Sequence, residues 1–199
     1  MEEDEVIHRD TCWVQDYLKI NSTNRNGTHA RSGITTCWKW PSSRVYKLNT
    51  DVGVSEKEGI RIGGIIQDWN GVPQFAFTRR MVGNCRLGEA EARGILREIE
   101  EALSRGFTSL IVESDCKVII ERLKNREDDR PEIRVLCELI WLKKEMAEVV
   151  AHSEERQISW EFSPHETNKL AHYLAHVKVL GQSFYCWDSW IPNWLYEAV

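Results

Sequence analysis

The sequence predicts an α/β domain built on one mixed sheet flanked by helices. Between Val45 and Met81, three apolar and partly alternating segments, VYKLNTD, IRIGGIIQDWNG and VPQFAFTRRM, are joined by short turns. From Leu87 the apolar period lengthens, and helix-like and strand-like segments then alternate as far as Leu180. Side chains alternate across a strand and repeat every 3.6 residues on a helix, so a change of period marks a change of element. Three antiparallel strands followed by alternating helices and strands give a mixed sheet with helices packed on it.

The elements follow in order. Residues 1–38 carry the polar run NSTNRNGTHARSG and read as a tail or linker, with CWVQDYLKI as one short helix inside it; the domain is expected to cover 39–199. The first strand is expected to end on Asp51, and the second turns into the third through Asn70-Gly71. The first helix of the domain places Ala92, Ile95, Leu96, Ile99, Ala102 and Leu103 on one face, with Arg93, Arg97, Glu98, Glu100 and Glu101 largely off it, and Gly106 stops it. FTSLIVESD is a short buried strand ending on Asp115, followed by the helix CKVIIERLKN. Beyond NREDDRPE come the longer helix IRVLCELIWLKKEMAEVV, a fifth strand QISWEFSP, and a last helix ETNKLAHYLAHVKVL. The aromatic tail FYCWDSWIPNWLYEAV closes the chain. Tryptophans near a terminus anchor it to the core more often than they stack on bases, and Trp38, Trp40, Trp187, Trp190 and Trp194 are read that way.

The 199 residues, 42% of them hydrophobic, are enough for one sizeable core. Cys12, Cys37, Cys85, Cys116, Cys137 and Cys186 form no CxxC pairing, which argues against a zinc knuckle or a disulfide framework. The acidic start MEEDEVIHRD is unlike a signal peptide, and no stretch approaches the ~18 apolar residues of a membrane span. An intracellular protein without membrane contact is expected, with nothing to separate nucleus from cytoplasm or to set an oligomeric state. The triplets Asn21-Ser22-Thr23 and Asn26-Gly27-Thr28 then count as chance matches to a glycosylation signal. A net charge of -5 offers no global attraction for nucleic acid. The basic clusters at Arg79–Arg80, Arg122–Arg126 and Lys143–Lys144 are interleaved with acids and read as solvated faces.

Three carboxylate positions carry the chemistry. If strands one and four lie side by side, Asp51 and Asp115 meet at one edge of the core. The helix between them offers Glu89 and Glu91, which flank its apolar stripe at similar angles, so periodicity does not choose between them. Clustered acids on rigid elements repel one another unless a cation neutralises them, and hard oxygen ligands select Mg²⁺ or Mn²⁺. Taken singly, each acid is equally at home as a cap, a strand end or an ion-pair partner.

The runs YKLNTDVG, GGIIQDWNGVPQFAF, LGEAEARGILREIEEAL, LIVESDCKVIIERL and HETNKLAHYLAHV resemble, in order and spacing, the plant ribonuclease H-like domain found in retroelement-derived proteins. The resemblance covers about Val45 to Lys178. It implies a ribonuclease H-like fold with a five-stranded mixed sheet, and hydrolysis of the RNA strand of an RNA/DNA hybrid with two Mg²⁺ or Mn²⁺ ions. It implies Asp51 as the first-strand ligand and Asp115 as the ligand after strand four. The family's helix glutamate follows an alanine, so the pair Ala90-Glu91 favours Glu91. His172 occupies the place where active members carry a fourth carboxylate, and Val52 precedes Gly53 where the family has glycine directly, so the following turn is expected to differ. Phe162 falls near the family's product-release histidine, with His165 as the nearby substitute. Asn168 is a candidate for contact with a ribose 2'-hydroxyl, or, with Thr167, for capping the last helix. Two readings follow from different classes. One is a metal-dependent nuclease using Asp51, Glu91, Asp115 and His172; the other is a weakly active or inactive module that binds nucleic acid or protein.

Overall fold

The computed structural model describes residues 41–55, 59–83, 85–126, 131–150, 157–177, 183–188 and 192. The first alternating segments form β1 (Tyr46–Ser55), β2 (Gly59–Gln67) and β3 (Pro73–Met81), paired antiparallel in that order. The turn after β2 is closed by Asp68, whose carboxylate accepts from the backbone N–H of Asn70 at 2.8 Å and of Val72 at 2.9 Å. Gly71 sits there at φ 75°, the left-handed conformation in which a side chain would strain the backbone.

Helix α1 (Leu87–Ser104) follows. It ends where Gly106 turns left-handed: the N–H of Gly106 reaches the carbonyl of Leu103 at 3.0 Å, and that of Phe107 reaches Ala102 at 3.0 Å. This pair of bonds satisfies carbonyls that the helix end would otherwise leave open. The crossover through α1 brings β4 (Leu110–Ser114) back parallel to β1, with Leu48 opposite Val112 and Thr50 opposite Ser114. After α2 (Lys117–Asn125) and α3 (Pro131–Val150), β5 (Ile158–Phe162) pairs parallel with β4. A single 3-10 turn (His165–Thr167) leads into α4 (Lys169–His176).

Two expectations about the strands are corrected. The sheet has six strands, not five, in the order β5-β4-β1-β2-β3-β6. Part of the aromatic tail forms β6 (Phe184–Trp187), which covers the edge of β3. A free edge of N–H and C=O groups is what such a strand satisfies. Strand β1 also does not end on Asp51: it continues to Ser55 because Val52, Gly53 and Val54 go on pairing with Ile62, Arg61 and Ile60. No turn follows Asp51 at Gly53. The segment CWVQDYLKI and Trp38, Trp40, Trp190 and Trp194 lie outside the described residues. Trp187 packs against the small cluster of Ile65, Ala76 and Leu174, as an anchoring tryptophan would.

One face of the sheet buries Leu48, Ile62, Phe75 and Phe77 against Ile95 and Ile99 of α1 and Ile140 of α3. The other face carries α4, and it does so at unusually short range. A Cβ on Gly63 would lie 2.1 Å from the backbone N of Ala175, and one on Gly53 would lie 2.5 Å from its carbonyl oxygen. The two missing methyl groups let α4 rest on the backbone of β1 and β2. Among the described residues, no helix is long and apolar enough to cross a membrane.

Because the obstacle at Gly63 is backbone and not a flexible side chain, Gly63→Ala is expected to lift α4 from the sheet. A loss of at least about 1–3 kcal/mol, the usual cost of overpacking, is expected by denaturant melts. Gly59→Ala meets no atom within 4 Å of the added Cβ, so its cost is set by backbone strain at φ 78° alone. A Gly63→Ala chain with wild-type stability would refute this account.

Candidate metal centre

Asp51 lies in the middle of the central strand, and Asp115 follows directly on β4, whose Ser114 pairs with Thr50. The parallel register thus sets the two aspartates side by side, as the sequence suggested. Glu91 enters from the first turns of α1 and is buried, whereas Glu89 turns outward to an ion pair with Arg93 at 2.6 Å. The structure separates the two glutamates that periodicity left tied. Carboxylate oxygens of Asp51, Glu91 and Asp115 all lie within 4.8 Å of one another.

Such an arrangement is electrostatically unfavourable by itself. Burial, and then the charges of Asp51 and Asp115, push the Glu91 carboxyl up to about 8. Its Oε2 is buried and has no hydrogen-bond partner. Burial, followed by the charge of Asp51, also raises Asp115, against a lowering contribution from His165. A divalent cation would relieve all three effects together. The all-oxygen donor set and the partnerless buried oxygen fit a hard ion such as Mg²⁺ or Mn²⁺.

A fourth acid was not foreseen. Glu98, read as lying off the apolar face, is 0% exposed. It occupies space left by Gly64, on which a Cβ would come within 3.1 Å of Glu98 Oε1. Its two oxygens lack a well-formed hydrogen bond, including to the adjacent Thr50 hydroxyl, and burial drives its pKa far upward. Burial thus favours its protonated form beneath the centre.

Histidines line the other side. His172, on α4 and 43% exposed in its side chain, places Nδ1 2.8 Å from Asp51 Oδ2. His165 places Nδ1 3.3 Å from Asp115 Oδ2, and its ring meets His172 edge-on at 4.5 Å between centroids. His176, which the sequence reading passed over, stacks obliquely on His172 at 4.2 Å. Its signal was available: His172 and His176 stand four apart on one helix face. Phe162 ends β5 and is exposed.

Asn168 stands at the N-cap position of α4, though its side chain makes no capping bond. It is 1% exposed, and its amide is committed to the carbonyl of Thr50 at 2.8 Å. Asn49 donates to Asn168 Oδ1 at 3.2 Å and to Glu113 Oε2 at 2.8 Å, and Glu113 pairs with buried Lys47. This buried chain of polar groups fastens the start of α4 to β1 and β4, so Asn168 makes no side-chain cap and faces the interior. Thr167 Oγ1 donates to the carbonyl of Pro164 and likewise caps nothing on α4. The basic clusters are mostly spent on acids: Arg79 on Glu101, Arg126 on Glu145, Lys143 on Glu100 and Lys144 on Glu148.

Comparison with known proteins bears on the family and the fold. The model of the family described as reverse transcriptase-like matches residues 49–178. No curated protein matches the chain. Among solved structures, ribonuclease H1 from the halophilic archaeon Halobacterium salinarum is similar at 18% identity, with a TM-score of 0.54 over 65% of this chain and 92% of that one. The N-terminal RNase H domain of a Mycobacterium tuberculosis protein is similar at 20% identity and a TM-score of 0.54, covering 65% and 94%. A ribonuclease H1 isolated from compost by a metagenomic approach gives 20% identity and 0.54 over 66% and 92%. These likenesses show a ribonuclease H-like fold.

The raised carboxyls set a pH dependence. Glu91 stands at about 8 in the folded chain and near ~4.3 when unfolded. Between those values only the folded state holds the proton, so the stability it lends is full below the lower value and is lost as pH rises through the upper one. Glu98 acts with the same sign. Without divalent ions, the melting temperature is expected to fall from pH 5 to pH 8, with a slope of up to about 1.4 kcal/mol per pH unit for each group. Glu91→Gln should flatten that fall; a wild-type stability that climbs over the same interval would contradict it.

Proposed function

Because the chain belongs to the reverse transcriptase-like family and has a ribonuclease H-like fold, we propose that it hydrolyses the RNA strand of RNA/DNA hybrids, using divalent ions held by Asp51, Glu91 and Asp115. One observation carries this reading. Three carboxylates from three different elements converge within 4.8 Å, and one of them keeps a buried oxygen with no partner. When bound, Mg²⁺ or Mn²⁺ supplies charge neutralisation and an activated water for phosphodiester cleavage.

The chain's own residues do the rest. Asp51 is held by pairing with Gly63 of β2, directly after Thr50 pairs with Ser114 of β4, and is oriented by His172. His165, exposed and bonded to Asp115, would hold or pass a proton between the centre and solvent. Hybrid recognition of this kind reads backbone shape and 2'-hydroxyls and carries little base specificity. The catalytic domain is proposed to span residues 39–199, with 1–38 as a tail.

A second reading is favoured by one residue. His172 stands where the resemblance implies a fourth carboxylate, which lowers the negative charge available to a second ion and suits a weakly active or non-catalytic module.

A labelled RNA/DNA hybrid incubated with the purified chain in Mg²⁺, and separately in Mn²⁺, separates the two. Cleavage is expected, stronger in Mn²⁺, because nitrogen near the site suits that ion better. Asp51→Asn, Glu91→Gln and Asp115→Asn should each lower the rate by at least about 10²-fold, while Glu89→Gln stays near wild type. His172→Asp should raise cleavage in Mg²⁺. Hybrid binding without cleavage in either ion, by wild type and by His172→Asp alike, would leave the non-catalytic module in place.

A further inference from the structure

We propose that Asp51, His172 and His176 form a binding site for a nitrogen-preferring transition cation of the Zn²⁺ or Co²⁺ class, distinct in chemistry from the all-carboxylate centre it adjoins. Residues four apart on a helix lie on one face, about 40° apart around the axis and about 6 Å along it. On α4 this brings the two imidazoles to 4.2 Å between centroids, with their planes inclined at 44°. Ligand-capable atoms of both histidines and of Asp51 lie within 4.8 Å of one another.

Hydrogen bonding has already turned the rings for coordination. His176 Nδ1 lies 2.8 Å from the backbone carbonyl oxygen of His172, which can only accept, so Nδ1 carries the proton and Nε2 keeps its lone pair. His172 Nδ1 lies 2.8 Å from Asp51 Oδ2, a separation two ligand atoms of one ion can adopt, so Nδ1 is the donor that His172 turns toward the shared ion. The carbonyl behind His176 fixes its tautomer and raises its basicity as a ligand. Two nitrogens and one oxygen suit Zn²⁺, Co²⁺ or Ni²⁺ and suit Mg²⁺ poorly. Three protein ligands with an exposed side leave a fourth position open to solvent.

Two features of the fold support the placement. A Cβ on Gly53 would come within 3.1 Å of His176 Cε1, so the glycine that admits α4 also makes room for this ring. His176 is the last residue of α4, where the partial negative charge of the helix C-terminus favours a cation. Since Asp51 serves both centres, a transition ion seated here competes with a hard ion for the same carboxylate. The site rests on the folded geometry and stands whether or not the chain cleaves hybrids.

The test reads binding directly. Metal-free full-length chain is titrated with Co²⁺ in excess Mg²⁺, following visible d–d absorption, with Zn²⁺ added afterwards. One Co²⁺ per chain is expected, with an absorption intensity typical of four- or five-coordination, persisting in Mg²⁺ and displaced by Zn²⁺. His176 is exposed, so His176→Ala should fold normally by circular dichroism and weaken Co²⁺ binding roughly 10- to 100-fold or more. Glu91→Gln should leave that affinity nearly unchanged. Co²⁺ binding that survives His176→Ala but is lost in Glu91→Gln would assign the ion to the carboxylate centre and overturn the proposal. So would the absence of Co²⁺ binding, or its displacement by Mg²⁺.

Discussion

Carboxylates held within 4.8 Å of one another on rigid elements repel, and the protein interior screens that repulsion poorly. Much of the surrounding structure follows from that constraint. Asp51 and Asp115 each have an imidazole alongside, from His172 and His165. Glu91 has none, and in the absence of a cation it takes up a proton instead. For Glu98, deeper still, burial likewise favours the protonated form. A buried ion pair of the sheet, Lys47 with Glu113, is placed elsewhere, where it braces strands without diluting the acidic centre.

Holding repelling groups in place requires a stiff frame, and this chain builds it from backbone. β1 is paired on both sides as far as Thr50, parallel to β4 and antiparallel to β2, and Asp51 follows directly, still paired with Gly63 of β2. Helix α4 is fixed by absence as much as by contact: Gly53 and Gly63 remove the atoms that would keep it off the sheet. The Asn49–Asn168–Thr50 bonds then fix its start. The histidines are thereby presented to the carboxylates at hydrogen-bond range.

Much of this was legible in the sequence, because period and order report on burial and connectivity. The meander, the crossover helix and the adjacency of Asp51 and Asp115 all follow from apolar patterns. What the patterns hid depends on partners distant in sequence. Glu89 and Glu91 are equivalent on an isolated helix and differ only once β1 lies against one of them. Glu98 belongs by periodicity to the wet side, and is buried because Gly64, on another strand, leaves it space. β6 carries only four residues with no clean alternation, and its existence depends on the open edge of β3. His176 is the exception, since its spacing of four from His172 is visible in the sequence.

The hydrogen bond between His172 and Asp51 joins residues 121 positions apart, and Asn49 reaches Asn168 across 119. Contacts of such long range are slow to form, because the chain must close a large loop before anything rewards it. On a ribosome, where synthesis runs from the N-terminus, β1 to β5 emerge before α4 does. Until α4 is released, Asp51 has no imidazole and the start of α4 has no anchor in the sheet. The complete centre therefore forms only once α4 has been made, and its assembly reports that every element from β1 to α4 is in place.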